Sequence, residues 1–414
     1  MNKKIYKSLK NNLSSAYFIP KCFKTGENYI IKDIEDNQYI DFSGGYGVVN
    51  IGWQHPKMLE AQIKQINKSN YAPPWMPTNE ADELAKKLIS FFPKTKYKCL
   101  RATGGANANE IVLSIFYNIC KGKIATFERS YHGWSQATLG MGEIKKFKLP
   151  FVRKEYESIK LNSQNINSDS MEEVEAFFDN NPDVKIFIAE PILGSGGIII
   201  PHKNYWKKFF DICKRRNIFL IFDEAITAFG RIGHMFASNY FQIEPDAIIL
   251  AKGISSGYAA IGAVLIKEEH LKNYKFGDVS ATFSWTPYAC SITHTNINLI
   301  EEEKLCNNSI LIGKYLKSNI EKLFKKYYTE ETLEVRGIGL MIAVELVNKI
   351  DKTPNTYLVG RLFFDFLNHG LMWCTSGDNN ALIALPPLTI DKKGCDLALS
   401  IIEKVLIKKR LDNI

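Results

Sequence analysis

Two residues near the middle of the chain have the types and the setting for covalent chemistry on a carbonyl. Asp223 closes the apolar run 218–222 (IFLIF), and Lys252 follows the apolar run 247–250 (AIIL). Both runs are too short for free-standing helices and are rich in Ile and Phe, the pattern of interior strands in a parallel sheet covered on both faces. Ligands of open α/β sheets sit beyond the carboxyl ends of the strands, so an acid and a lysine delivered there can grip one ligand from two sides. A lysine amine can condense with an aldehyde, and a carboxylate can hold the proton on a ring nitrogen. The pair points to a cofactor with both an aldehyde and a nitrogen heterocycle. Asp or Lys also ends many ordinary solvated strands, so the assignment depends on what else converges.

The flanking elements supply candidates. The segment 98–110, KCLRATGGANANE, runs from a short strand through two glycines into an apolar-faced helix. A strand, a glycine turn and a helix N-terminus form an anion site, because unpaired backbone N–H groups point outward. A phosphate suits it, but neither GxxxxGK[ST] nor a full GxGxxG is present, so a nucleotide fold is not supported. A strand over 123–127 leads to Tyr131 and His132, whose rings can lie against a planar ligand. A strand over 185–189 ends at Glu190, before LGSGG and a helix over 204–216. After Lys252, a glycine-rich loop precedes a strand that turns back antiparallel. The stretch 280–290, SATFSWTPYAC, reads as a loop before a long helix to residue 304.

At the N-terminal side, alternation over 29–42 predicts an antiparallel hairpin with its turn near Asp36 and Asn37. SGGYG (43–47) follows as a flexible loop, where backbone can approach a ligand or a partner chain. Pro56 opens a helix over 56–68, and Thr78 precedes another with Leu84, Leu88 and Phe91 on one side. A polar stretch over 154–181 ends in a helix over 171–178. Residues 309–414 read as a separate α/β lobe: helix 310–326, strand or hairpin 335–346, helix 357–369, the stretch ALIALPPLTI and a last helix over 392–408.

Composition narrows the class. With 414 residues the chain exceeds the size at which a single core stops growing. A hydrophobic share of 45% and a charged share of 23% are ordinary for a soluble enzyme. The formal charge of +9 is spread along the chain, which argues against a nucleic-acid partner. Eight cysteines without CxxC pairs argue against zinc ribbons and disulfide frameworks, and for a reducing, cytoplasmic setting. No apolar run approaches a membrane span, and the N-terminus has no secretory h-region.

Taken together, SGGYG, TGGANANE, SYHG, EPILGSGG, FDEAITAFGR, ILAKG, TFSWTP, VRGIGL and LPPLTI resemble, in order, the class III (ω-) aminotransferases. These are pyridoxal-phosphate enzymes of fold type I, and glutamate-1-semialdehyde aminomutases share the family. The resemblance implies an α/β fold, a mostly parallel central sheet flanked by helices, with a smaller α/β C-terminal lobe. It implies an N-terminal segment (1–50) joining the small lobe, a large cofactor domain (51–300) and a C-terminal small domain (301–414). It further implies pyridoxal 5'-phosphate, amine and oxo substrates, and a homodimer with a shared active site. By the same similarity Lys252 is the Schiff-base lysine and proton carrier, and Asp223 the partner of the ring nitrogen. Gly105 and Ala106 offer N–H groups to the phosphate, Tyr131 stacks on the ring with His132 beside it, and Glu190 supports the network near the substrate. Thr282 reaches the phosphate of the neighbouring subunit. Transamination is the leading expectation. An intramolecular amino shift is the runner-up, and a catalytically inactive binding protein of the same fold is a third reading.

Departures from the family pattern bear on the substrate. Ala106 stands where Ser or Thr is usual, and Ile226 replaces a frequent Gln at the cofactor hydroxyl. Trp285 and Thr286 replace Gly-Asn, a change expected to narrow the pocket entrance. Members acting on amino acids often carry an Arg three residues before the Pro-Pro pair, and here Ile383 holds that place. An apolar side chain cannot pair a carboxylate, so the expected substrate lacks an α-carboxylate there, unless Arg336 or Arg101 supplies the charge from another direction.

Overall fold

The computed structural model describes residues 2–12, 19, 21–144, 157–163, 165–272 and 281–411. Parts of the N-terminal and 154–181 polar stretches, and Ser280 of the SATFSWTPYAC segment, lie outside the described residues. A seven-stranded sheet organises the large lobe. Its spatial order is Tyr97–Ala102, Gly262–Lys267, Ala247–Leu250, Phe219–Asp223, Val184–Ala189, Lys123–Phe127 and Ile159–Leu161. Gly262–Lys267 runs antiparallel to both neighbours, whereas the pairings from Ala247–Leu250 through to Ile159–Leu161 are parallel.

Burial along the strands alternates between two faces, as the pleat requires. Ile186, Ile188, Ile221 and Ile249 pack with Ile111, Ile115 and Phe116 of the helix Gly105–Ile119. Phe187, Leu220 and Phe222 pack instead with Trp206 and Phe209 of the helix Tyr205–Arg215. Both faces are therefore covered, which is why these strands read as continuous apolar runs. Asp223 has the same parity as Ile221, so its side chain emerges on the side of the helix Gly105–Ile119.

Two smaller sheets complete the molecule. Phe23–Glu27, Ile30–Asp33 and Gln38–Asp41 form an antiparallel meander, and the short strand Leu371–Met372 adds in parallel beside Gln38–Asp41. Thr332–Ile338 and Met341–Leu346 form a hairpin that pairs with Ala381–Ala384, which in turn pairs with Cys374–Thr375. The helices Leu305–Tyr327, Thr356–Asn368 and Lys392–Leu411 lie where the pattern places them, give or take a few residues.

Two local expectations are revised. SGGYG is an ordered left-handed turn, with positive φ at Gly44, Gly45, Tyr46 and Gly47 in succession. Gly44 is obligatory: a Cβ there would meet the Leu385 carbonyl oxygen at 2.3 Å. Within SATFSWTPYAC, the loop ends at Thr286. Its side chain accepts from Ala289 N and Pro287 takes the first helical position, so residues 287–290 open the helix Pro287–Glu302.

Candidate active site

Three strand ends and one helix start converge on a cavity of about 420 Å³ lined by Gly104, Gly105, Ala106, Tyr131, His132, Glu190, Asp223, Ile226 and Lys252, among others. Of the residues to which the resemblance gives a catalytic or cofactor role, only Thr282 is missing from this wall. It is exposed, and lies with Tyr71, Trp75, Met76 and Phe283 among the exposed side chains of the large lobe.

Asp223, the last residue of its strand, is buried and held by three donors. His132 Nδ1 lies 2.9 Å and Asn109 Nδ2 3.0 Å from Oδ2, and Ala225 N donates to Oδ1 at 3.2 Å. His132 Nε2 meets Thr126 Oγ1 at 3.2 Å, which orients the ring from its other side.

Lys252 follows its strand by one residue, after Ala251, and adopts a left-handed backbone, φ +49°. That conformation is costly for a residue with a Cβ, and such outliers gather at functional sites. Burial lowers the Lys252 ammonium below its ordinary pKa, opposed by the charges of Glu190 and Asp223. Burial likewise raises Glu190, whose Oε1 accepts from Tyr131 N at 3.0 Å and Oε2 from Gly194 N at 2.9 Å. The carboxyl thereby ties the Tyr131 loop to the LGSGG loop. Tyr131 is pushed up to about 12, first by burial and then by the charges of Glu190 and Asp223.

The helix Gly105–Ile119 begins at the cavity with Gly104 as a cap that offers no side chain, and without an acidic residue in its first turn. Its first N–H groups are thus open to an anion, and a Cβ on Gly104 would meet nothing within 4 Å. Pyridoxal phosphate needs an anion cradle, a carboxylate for the ring nitrogen, a flat side chain for the ring face and an amine for the aldehyde. The residues present fit all four. Ala106 has no side-chain donor to offer this cavity, and Ile226 presents an apolar wall.

A second cavity of about 380 Å³ adjoins the first and shares Tyr131, Trp134, Ile226 and Lys252 with it. Ile198, Met341, Cys374, Ile383 and Leu385 make its walls apolar, while Ser195, Thr375 and Ser376 add hydroxyls. Lys252 is the single cationic side chain among the described residues lining it. Arg336 is engaged elsewhere: Nη1 lies 2.5 Å from Glu345 Oε2, while Nη2 and Nε donate to the Gly197 carbonyl at 2.6 and 2.9 Å. Arg101 Nη1 donates to the Pro74 carbonyl at 2.6 Å, outside this cavity. Trp285 corrects an expectation. It is buried in the core, donates Nε1 to the Gly262 carbonyl at 2.8 Å and lines neither cavity, so it does not narrow the entrance from this chain.

Reading the residues one by one missed Asn109, Tyr46, Trp134 and Cys374. Asn109 carried a usable signal: it lies one helical turn after Gly105, within the same motif. Cys374 carried none, because its place depends on pairing between distant strands.

A family described as class-III aminotransferase matches residues 14–406. Acetylornithine aminotransferase of Methanocaldococcus jannaschii is 33% identical over 402 residues, covering 94% of this chain and 95% of that protein. 5-Aminovalerate aminotransferase of Pseudomonas putida is 32% identical over 403 residues, covering 93% of each. The crystal structure of a transaminase from the marine bacterium Virgibacillus superposes with a TM-score of 0.91 at 25% identity, covering 99% of this chain and all of that one.

Proposed function

The chain belongs to the class-III aminotransferase family, whose members transfer amino groups with pyridoxal phosphate, and from that premise we propose how its own residues divide the work. The carrying observation is the convergence of Lys252, Asp223, Tyr131 and an open helix N-terminus on one cavity that adjoins an apolar one. When bound, pyridoxal phosphate supplies an aldehyde for amines and a ring that takes up the electrons freed at the substrate carbon.

Lys252 Nζ would anchor the cofactor, and as a free amine beside the substrate it would take a proton from the substrate carbon and return it. Burial favours its neutral form, which both tasks need. Asp223 keeps the ring nitrogen protonated. Gly105 and Ala106 hold the phosphate through backbone N–H groups, Tyr131 covers the ring face, His132 steadies Asp223, and Ile226 bounds the ring edge. Glu190 keeps the Tyr131 and LGSGG loops together beside the substrate.

The substrate side takes an amine or aldehyde without a carboxylate near Ile383, such as an ω-amino compound with an apolar body. The support is the apolar second cavity and the engagement of Arg336 by Glu345. The active unit is a homodimer in which Thr282 completes the partner's phosphate site. Its exposure, and that of Trp75 and Phe283 at 76% and 70%, suits a surface covered by a second copy. Residues 1–50 work with 301–414 as one lobe around the domain 51–300, a division supported by the pairing of Leu371 with Ile40. No helix among the described residues is long and apolar enough to cross a membrane, and the eight free thiols suit a cytoplasmic setting.

Borohydride reduction of the yellow holoenzyme, followed by peptide mapping, tests the site. The label is expected on Lys252, and a label on another lysine overturns the assignment. Turnover of one substrate without any oxo acid would favour the intramolecular amino shift instead.

A further inference from the structure

We propose that Asn109 is a positioning residue for Asp223, fixing the carboxylate for the ring nitrogen of the cofactor; this rests on the role proposed for Asp223 above. The helix Gly105–Ile119 packs on the sheet face from which Asp223 emerges, and Asn109 stands one turn into that helix. Its Nδ2 lies 3.0 Å from Asp223 Oδ2, 3.0 Å from the His132 carbonyl and 3.1 Å from the Gly105 carbonyl. All three neighbours are acceptors, so the amide can face them only with its amino end.

That orientation leaves Asn109 Oδ1 buried, with no hydrogen-bond partner among the described residues. An orphaned buried acceptor is costly, and a side chain kept only for packing would not need to carry one. What the amide gains in return is a charge-assisted bond to Oδ2, the atom that also accepts from His132 Nδ1 at 2.9 Å. Two donors from two elements converge on one oxygen. The Asn109 donor comes from the helix whose first turn borders the same cavity, so the phosphate cradle and the ring-nitrogen partner are tied together by one side chain.

Asn109→Leu tests this with little change in volume, because it removes the donor to Asp223 without adding a charge. Asn109→Ala removes the group outright. Holoenzymes reconstituted with pyridoxal phosphate labelled with 15N in the ring report ring protonation directly by NMR. The wild type is expected to show a protonated ring nitrogen. Both variants should shift that resonance toward the unprotonated position and release the cofactor faster. They should also lose kcat roughly tenfold to a hundredfold, the size of one hydrogen bond to a charged group, with KM changed far less. Thermal unfolding of the cofactor-free variants checks the fold, and Asn109→Leu decides if the alanine variant does not fold. A protonated wild-type ring with an unchanged resonance and kcat in Asn109→Leu overturns the role of Asn109 alone. A wild-type ring without protonation overturns the reading of Asp223 itself.

Discussion

Glu345 holds Arg336 at 2.5 Å, with Asn380 Nδ2 donating to the other carboxylate oxygen at 2.8 Å. The guanidinium best placed by sequence to replace the absent arginine at position 383 is therefore spent on a buried ion pair. Separating a substrate carboxylate from water beside Ile383 would leave it without a cation. Half-reaction spectra over a panel should show carboxylate-free amines converting the holoenzyme faster than ordinary α-amino acids. Faster conversion by α-amino acids would defeat the substrate proposal and leave the family intact.

The converse substitution sharpens this. Ile383→Arg places a two-pronged donor in the wall of the apolar cavity. The ratio of kcat/KM for an α-amino acid to that for a neutral amine should rise by about tenfold or more, the size of a hydrogen bond to a charge. An unchanged ratio would show that position 383 does not meet the substrate.

Lys252 makes pH informative. Burial holds its folded pKa below the ordinary 10.5. Between those two values the unfolded chain binds the extra proton, so the stability of the cofactor-free protein rises as pH climbs through that window. Lys252→Met should remove this slope and abolish covalent cofactor attachment, with turnover falling by a factor of roughly 10² to 10⁴ or more. Denaturant titrations of wild type and variant at several pH values test the sign, and a slope identical in both would refute it.

Thr282 belongs to the proposed interface rather than to its own chain's cavity. Thr282→Ala should weaken cofactor binding several-fold and leave the monomer's fold intact, as read by equilibrium dialysis and unfolding. Activity of the wild type should fall on dilution together with the dimer fraction seen by sedimentation. Full activity in a monomer would contradict the shared site.

Phe209 offers a control far from the chemistry. Its buried ring lies 4.7 Å from the Phe187 ring and 5.4 Å from that of Trp206, centroid to centroid. Phe209→Ala should cost about 3–5 kcal/mol of stability by leaving a cavity. Denaturant unfolding measures that loss, while kcat of the folded fraction should stay near wild type.

By itself the sequence determined the longer strands and helices, where Asp223, Glu190 and Lys252 stand at strand ends, and that a helix opens beside them. Those features follow from local periodicity, because a run such as Phe219–Asp223 must bury both faces wherever it lies in the sheet. It did not determine the helix Asn2–Asn12 or the short strands Ile159–Leu161 and Leu371–Met372, which fall in stretches without a clear apolar period. Only the tertiary structure decided which distant groups meet. Asn109 reaches Asp223 across 114 positions because the parity of one strand and the packing of one helix coincide. Tyr46 enters the second cavity because three glycines permit a left-handed turn against Leu385. Trp285 is in the core, and Arg336 is matched to Glu345 through a hairpin register that pairs Val335 with Val344. Periodicity tells a residue which face it shows. Strand order and register, set by the burial of all faces at once, choose the neighbour it finds there.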